Sequence, residues 1–189
     1  TLSSSSAPSD VYSIQLTSSS HYVDMRTEND PKKMIKCLQN NAYRCKNSDV
    51  TRAYNEDVLG LPLVLAFGIE ESKTGRETEA LHTFYQLDDG SALAFFEVPG
   101  MPFDFKKQHD YDLHIALEVT MEDLLLMLEK GKTERIETRG IADHGFIKSI
   151  YFRDPNGYVI ELTAPTQKAS GDPIPSAHKT LSDWTAKTR

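Results

Sequence analysis

Polar and apolar residues alternate strictly in two separate stretches of the chain, and each stretch opens the same succession of elements. In the first, Asn40, Ala42 and Arg44 share one side of a strand, with Asn41, Tyr43 and Cys45 on the other. Asn47 or Ser48 supplies an N-cap for a helix reaching residue 59, where Gly60 provides the stop. Apolar runs at 61–67, 81–87 and 92–98 predict three further strands, the last two joined at Asp88-Asp89-Gly90. In the second stretch Leu113, Ile115, Leu117 and Val119 alternate against His114, Ala116 and Glu118. Thr120 caps a helix running to residue 130, with Gly131 as its stop and Met121, Leu124, Leu125 and Leu128 as its buried stripe. Strands follow at 135–138, 146–153 and 158–163, the last pair joined by the tight turn Asp154-Pro155-Asn156-Gly157. The order strand, helix, three strands occurs twice, so the predicted class is α+β with a tandem repeat.

The repeat sets the expected boundaries. Residues 1–33 are polar and read as a flexible lead-in with an edge strand at 11–16. Residues 34–99 form the first module, 100–112 a linker rich in Gly, Pro and Phe, and 113–165 the second module. Residues 166–189 form a tail in which Leu181 and Trp184 are expected to pack back as a short helix. At 189 residues and 39% hydrophobic content the chain can build one sizeable core or two fused half-domains. A net charge of -7 argues against nucleic acid or an anionic membrane as the main partner. No apolar run approaches the ~18–20 residues a membrane span requires, and the serine-rich start does not read as a secretory signal. Cys37 and Cys45 lie on or near one strand, where a disulfide is awkward, so a reducing, cytoplasmic setting is expected.

The candidate chemistry lies on the side away from the helices. Each module carries a glutamate in its last strand, Glu97 and Glu161, and a polar residue opening its first, Asn40 and His114. The alternation reads all four onto one concave face. Carboxylates buried on such a face are costly unless paired, protonated or bound to a cation. Two glutamates, an imidazole and an amide oxygen form a mixed N/O set suited to Zn, Ni, Fe, Mn or Co. On spacing alone a set of ordinary, solvated strand residues stands beside this reading with equal weight. His82 on a strand, His144 before one, Arg44 beside Asn40 and Phe95 are further candidates for contact with a substrate.

Two segments resemble those of a known superfamily. Residues 51–63, TRAYNEDVLGLPL, resemble the first-module signature of the vicinal oxygen chelate proteins, and residues 151–162, YFRDPNGYVIEL, resemble their closing D-P-(D/N)-G-x-x-x-E-L. Glyoxalase I, bleomycin and fosfomycin resistance proteins and type I extradiol dioxygenases belong to this superfamily. The resemblance spans residues 36–165 and implies two βαβββ modules forming a U-shaped mixed sheet around a cavity, with a divalent metal held by first and last strands. Those positions here are Asn40, Glu97, His114 and Glu161. The chain departs from the common pattern at Asn40, where many relatives have His, and at Asn55, where Tyr is usual. The implied activity is that of a glyoxalase-like lyase or isomerase that chelates vicinal oxygens of a small molecule, with Glu161 or Glu97 moving the proton. Arg44 falls where glyoxalase I has a glutathione-binding arginine. Two alternatives accompany this expectation: an extradiol-type ring-cleaving dioxygenase, and a metal-free protein that sequesters a ligand. A homodimer is expected because homodimers are common on this scaffold.

Overall fold

Strand pairing and helix caps in the computed structural model, which describes residues 37–71, 77–105, 109–166 and 173–188, follow the repeat. The lead-in expected over 1–33, with its edge strand, lies outside the described residues. The chain divides into two compact units between Phe105 and Lys106.

In the first unit β1 (Asn40–Arg44) leads into α1 (Ser48–Ala53), whose N-cap Asn47 accepts a hydrogen bond from the Val50 N–H at 2.9 Å. A single π-helical turn, Tyr54–Val58, follows, and β2 (Leu63–Glu71), β3 (Glu77–Gln86) and β4 (Ala92–Glu97) complete the module. Their order in the sheet is β1-β4-β3-β2, with β1 and β4 parallel and the other pairs antiparallel. One face holds the core: Tyr85, Phe95 and Cys45 are fully buried there, with Thr51 and Asn55 of the helical segment also buried.

The second unit repeats this plan. β5 (Ile115–Glu118) leads into α2 (Met121–Thr133), capped by Thr120, whose hydroxyl accepts from the Asp123 N–H. Strands β6 (Thr138–Asp143), β7 (Ile147–Arg153) and β8 (Val159–Pro165) complete a sheet ordered β5-β8-β7-β6, again with only the β5–β8 pair parallel. Ile150, Phe152, Ile160 and Leu162 are buried beside Leu124 of the helix. The Asp154 carboxylate accepts the N–H groups of Asn156 and Tyr158 and so fixes the β7–β8 turn.

Four expectations shift. Leu125, read as part of the buried stripe of α2, is 46% exposed. Gly131 does not stop α2 but lies inside it, where a Cβ would stand 2.7 Å from the Phe152 ring. The strand expected at 135–138 begins at Thr138 instead, because the helix runs on to Thr133 and the chain turns at Arg135 with φ 58°. The tail forms a helix, α3 (Pro173–Thr188), but Leu181 and Trp184 are 63% and 61% exposed and do not pack back. Among the described residues no helix is long and apolar enough to cross a membrane.

Candidate functional site

The face of the second sheet opposite α2 carries a connected polar row. Residues paired across a sheet share a face. Ala116 pairs with Glu161, Glu161 with Tyr151, and Tyr151 with Arg139, while His114 precedes Ala116 by one alternation. His114 Nε2 lies 3.2 Å from Glu161 Oε2. Its Nδ1 is 2.9 Å from the Asp110 carbonyl oxygen. A carbonyl only accepts, so Nδ1 carries a proton, which leaves Nε2 as the ring atom that faces Glu161. The imidazole nitrogen and the carboxylate oxygen therefore face each other, each able to offer a lone pair. Only a proton or a cation between them makes that contact favourable.

The spacing suits a cation. Two ligands that each sit about 2.0–2.2 Å from one ion, at tetrahedral or octahedral angles, are about 3 Å apart. The outer partners suit it as well: Asp110 fixes the His114 ring, and the Tyr151 hydroxyl donates to Glu161 Oε1 at 3.0 Å. Burial, and then the hydrogen bond to the Glu161 carboxylate, push the Tyr151 hydroxyl above its ordinary range, which keeps it a donor. His144 Nε2 stands 3.2 Å from the same hydroxyl at the exposed end of the row. Among the described residues no group of three or more His, Cys, Asp or Glu side chains converges on one point. The second unit thus offers two candidate ligands, His114 and Glu161, each with a hydrogen-bond partner behind it.

Beside this row is a pocket of about 50 Å³ lined by Asp110, Glu137, Arg139, Tyr151, Arg153 and Val159. Arg139 donates to Asp110 Oδ2 at 2.8 Å and lies over the Tyr151 ring at 4.6 Å. Arg153 reaches Asp110 Oδ1 at 3.7 Å and Glu137 at 3.3 Å. Tyr151, Arg139, Arg153 and Asp110 escaped the sequence reading. A signal for Tyr151 existed: a turn that pairs Arg153 with Val159 necessarily sets Tyr151 opposite Glu161.

The first sheet corrects the expectation that Asn40 and Glu97 share a face. Asn40 pairs with Ala92, and Ala42 with Ala94, whereas Glu97 has the opposite parity and pairs with Leu81. Glu97 turns to the helix side, where its Oε2 accepts the Ser48 N–H at 2.7 Å. There it serves the first turn of α1 as a capping carboxylate. Glu97→Ala is expected to cost about 1–2 kcal/mol of first-unit stability and to leave metal affinity unchanged. Denaturant titration of the variant beside a metal titration checks both. Phe95 needs the same correction: it is 1% exposed and packs in the core between Tyr43 and Tyr85.

The position matching Glu161 in the first sheet is Ala94, since each pairs with the residue two beyond the opening polar one. The same register sets Phe84 where the second sheet has Tyr151, and Leu65 where it has Arg139. The first sheet thus replaces the row His114, Glu161, Tyr151, Arg139 by Asn40, Ala94, Phe84, Leu65. His82 shares this apolar face, stacked 3.6 Å from Phe96 and 4.2 Å from Phe84, with Phe67 at 5.3 Å. Burial lowers its basicity, and its Nε2 has no hydrogen-bond partner among the described residues. Arg44, on the Asn40 face, donates to the Met101 carbonyl at 2.9 Å and approaches the Phe103 ring at 5.8 Å.

The sequence profile of the glyoxalase/bleomycin resistance protein/dioxygenase superfamily matches residues 39–162, and the chain belongs to that superfamily. Solved structures share the fold. A glyoxylase/bleomycin resistance protein/dioxygenase domain from Frankia sp. EAN1pec superposes with a TM-score of 0.56 at 15% identity, covering 69% of this chain and 98% of that one. The fosfomycin resistance protein FosX from Listeria monocytogenes, in complex with Mn(II) and sulfate, gives 0.53 at 20% identity over 70% of this chain and 95% of that one. FosX from Mesorhizobium loti gives 0.53 at 20% identity, covering 70% and 94%. No curated protein matches the chain in sequence.

Proposed function

We propose that this protein is a metal-dependent enzyme acting on a small molecule, with His114 and Glu161 as ligands of a divalent transition metal, and that its chemistry is of the glyoxalase-like lyase or isomerase kind. The observation that carries the reading is the approach of two groups able to ligate a metal, His114 Nε2 and Glu161 Oε2, at 3.2 Å. Superfamily membership and the Mn(II) bound by one FosX relative support it.

A bound divalent cation would act as a Lewis acid toward two adjacent oxygens of the substrate. The protein's own groups account for the rest. Glu161 would take a proton from the substrate and return it. The Tyr151 hydroxyl holds Glu161 Oε1, and His144 extends the hydrogen-bonded path from that hydroxyl to the exposed rim. A proton taken by Glu161 therefore has a route to water that does not cross the apolar core.

A second reading, metal-free sequestration of an aromatic ligand, draws on the first sheet, where Phe67, Phe84, Phe96 and His82 form an aromatic face without a carboxylate. Metal content of protein purified without added metal separates the two. About one transition metal per chain is expected, and none favours sequestration. In Glu161→Gln the new amide can donate to His114 Nε2, so the pair no longer needs a cation. The variant is expected to keep its fold while its metal affinity falls by more than the roughly 10–100-fold that loss of an outer partner costs, with turnover abolished. Unchanged metal affinity in that variant ends the assignment.

A further inference from the structure

We infer that Asp110 is a positioning residue for the metal site, a strut through which Arg139 and Arg153 hold the His114 ring. This rests on the proposal that His114 and Glu161 are metal ligands. Asp110 makes two kinds of contact. Its main-chain carbonyl accepts from His114 Nδ1 at 2.9 Å, and its carboxylate accepts from Arg139 at 2.8 Å, with Arg153 3.7 Å away on the other oxygen. The two arginines stand on adjacent strands, since Arg139 pairs with Tyr151 on β7 and Arg153 lies two residues further along β7.

The residue belongs to the turn at 110–112, outside the sheet. Main-chain geometry alone holds a turn weakly. A hydrogen bond within the segment, from the Asp112 N–H to the His109 carbonyl, closes the turn but does not tie it to the sheet. The tie to the sheet is electrostatic: a carboxylate with 26% side-chain exposure against two guanidinium groups. Arg153 is itself braced, donating to the Gly157 carbonyl at 2.8 Å and lying 3.3 Å from Glu137. Arg139 is braced by the Tyr151 ring beneath it. The sheet thus holds the guanidinium groups, these hold Asp110, and the Asp110 carbonyl fixes both the tautomer and the direction of His114. Without the tether the carbonyl remains in the chain, but the turn carrying it is free to move and the ring loses its fixed acceptor. Outer partners of a ligating histidine typically contribute 10–100-fold in metal affinity.

The experiment is titration of the full chain with Zn(II) and with Mn(II), each followed by calorimetry, alongside thermal melts of the metal-free protein. Wild type tests the parent reading: no binding there defeats the metal site itself and with it the strut. Given wild-type binding, Asp110→Ala is expected to weaken affinity about 10-fold while the melting temperature of the metal-free protein stays close to wild type. Arg139→Met should weaken it in the same direction, and the double variant Asp110→Ala/Arg139→Met should be no weaker than Asp110→Ala alone, because both changes cut one strut. Asp110→Glu should recover part of the loss. Affinity within twofold of wild type in Asp110→Ala overturns the inference, as does strict additivity in the double variant. Should Asp110→Ala fail to fold, Asp110→Asn and Arg139→Met carry the same comparison, since each cuts the charge pair and leaves the main chain intact.

Discussion

Phe152→Ala is expected to lower second-unit stability by about 3–5 kcal/mol, the cost of emptying a fully buried aromatic site, and to change how the protein answers substitution at Gly131. Phe152 is 2% exposed, with Ile150, Ile160 and Leu124 also buried in this core. A Cβ on Gly131 would lie 2.7 Å from Phe152 Cε1 and 2.4 Å from Thr138 Oγ1. The glycine therefore marks a close approach of helix to sheet. In the wild-type background Gly131→Ala gains helix propensity of about 1 kcal/mol but overpacks against a ring that cannot withdraw, which costs about 1–3 kcal/mol. A net loss is expected. With Phe152 reduced to alanine the ring is gone, and only the Thr138 hydroxyl, which is held by the Ile136 carbonyl, remains in the way. Gly131→Ala should then cost less than in the wild-type background, the remaining loss being that of displacing the Thr138 hydroxyl. A double-mutant cycle by urea denaturation should show coupling of about 1–2 kcal/mol, with equal m-values confirming that the unfolded states are alike. Additive losses would mean that the helix and sheet do not meet where they are placed.

That same glycine shows where local signals mislead. A Gly after an apolar helical stripe reads as a C-terminal stop, yet α2 continues to Thr133 because the space against Phe152 admits nothing larger than hydrogen. Signals that work through local hydrogen bonds were legible: Asn47 and Thr120 cap their helices, and Asp154 closes its turn, all with their own neighbours in sequence. The late start of β6 was not, because Thr-Arg-Gly-Ile-Ala-Asp carries no alternation to mark it. Nor could composition show that Leu181 and Trp184 remain exposed, since packing is settled by tertiary geometry.

For the candidate site, legibility followed the quality of the alternation. His114 is flanked by Leu113 and Ile115, and Glu161 by Ile160 and Leu162, so each face declares itself in sequence. The segment 92–97, Ala-Leu-Ala-Phe-Phe-Glu, is apolar on both sides until its last residue. No period of two can be read there, and a glutamate at the end of the strand invites comparison with Glu161 although pairing places Ala94 in that role. Phe95 turns to the core for the same reason, since a one-residue slip reverses every side chain. Tyr151, Arg139 and Asp110 needed more than alternation: they depend on which strands lie side by side, and for Asp110 on a turn that brings its carboxylate to Arg139 and Arg153.

Ala94→Glu converts this register into its severest test. The substitution places a carboxylate in the first sheet at the position Glu161 holds in the second, but without the second sheet's partners. Ala94 is 0% exposed, and its cross-strand neighbours are Ala42 and Phe84. An uncompensated buried carboxylate there is expected to cost about 3–5 kcal/mol, or to be held protonated at neutral pH. Phe84→Tyr adds the hydroxyl that Tyr151 supplies to Glu161, and Asn40→His adds the ring that His114 supplies. Installed with Ala94→Glu, each should recover at least about 1 kcal/mol relative to its effect alone. The triple variant should gain further stability on addition of Zn(II), in proportion to the logarithm of the metal concentration, because a cation that binds only the folded state shifts folding by mass action. Chemical denaturation with and without Zn(II) reads all of these. If Ala94→Glu is tolerated within about 1 kcal/mol, typical of an exposed strand position, or if Asn40→His and Phe84→Tyr give no coupling to it, then the polar row of one sheet and the apolar row of the other are not related by a common register.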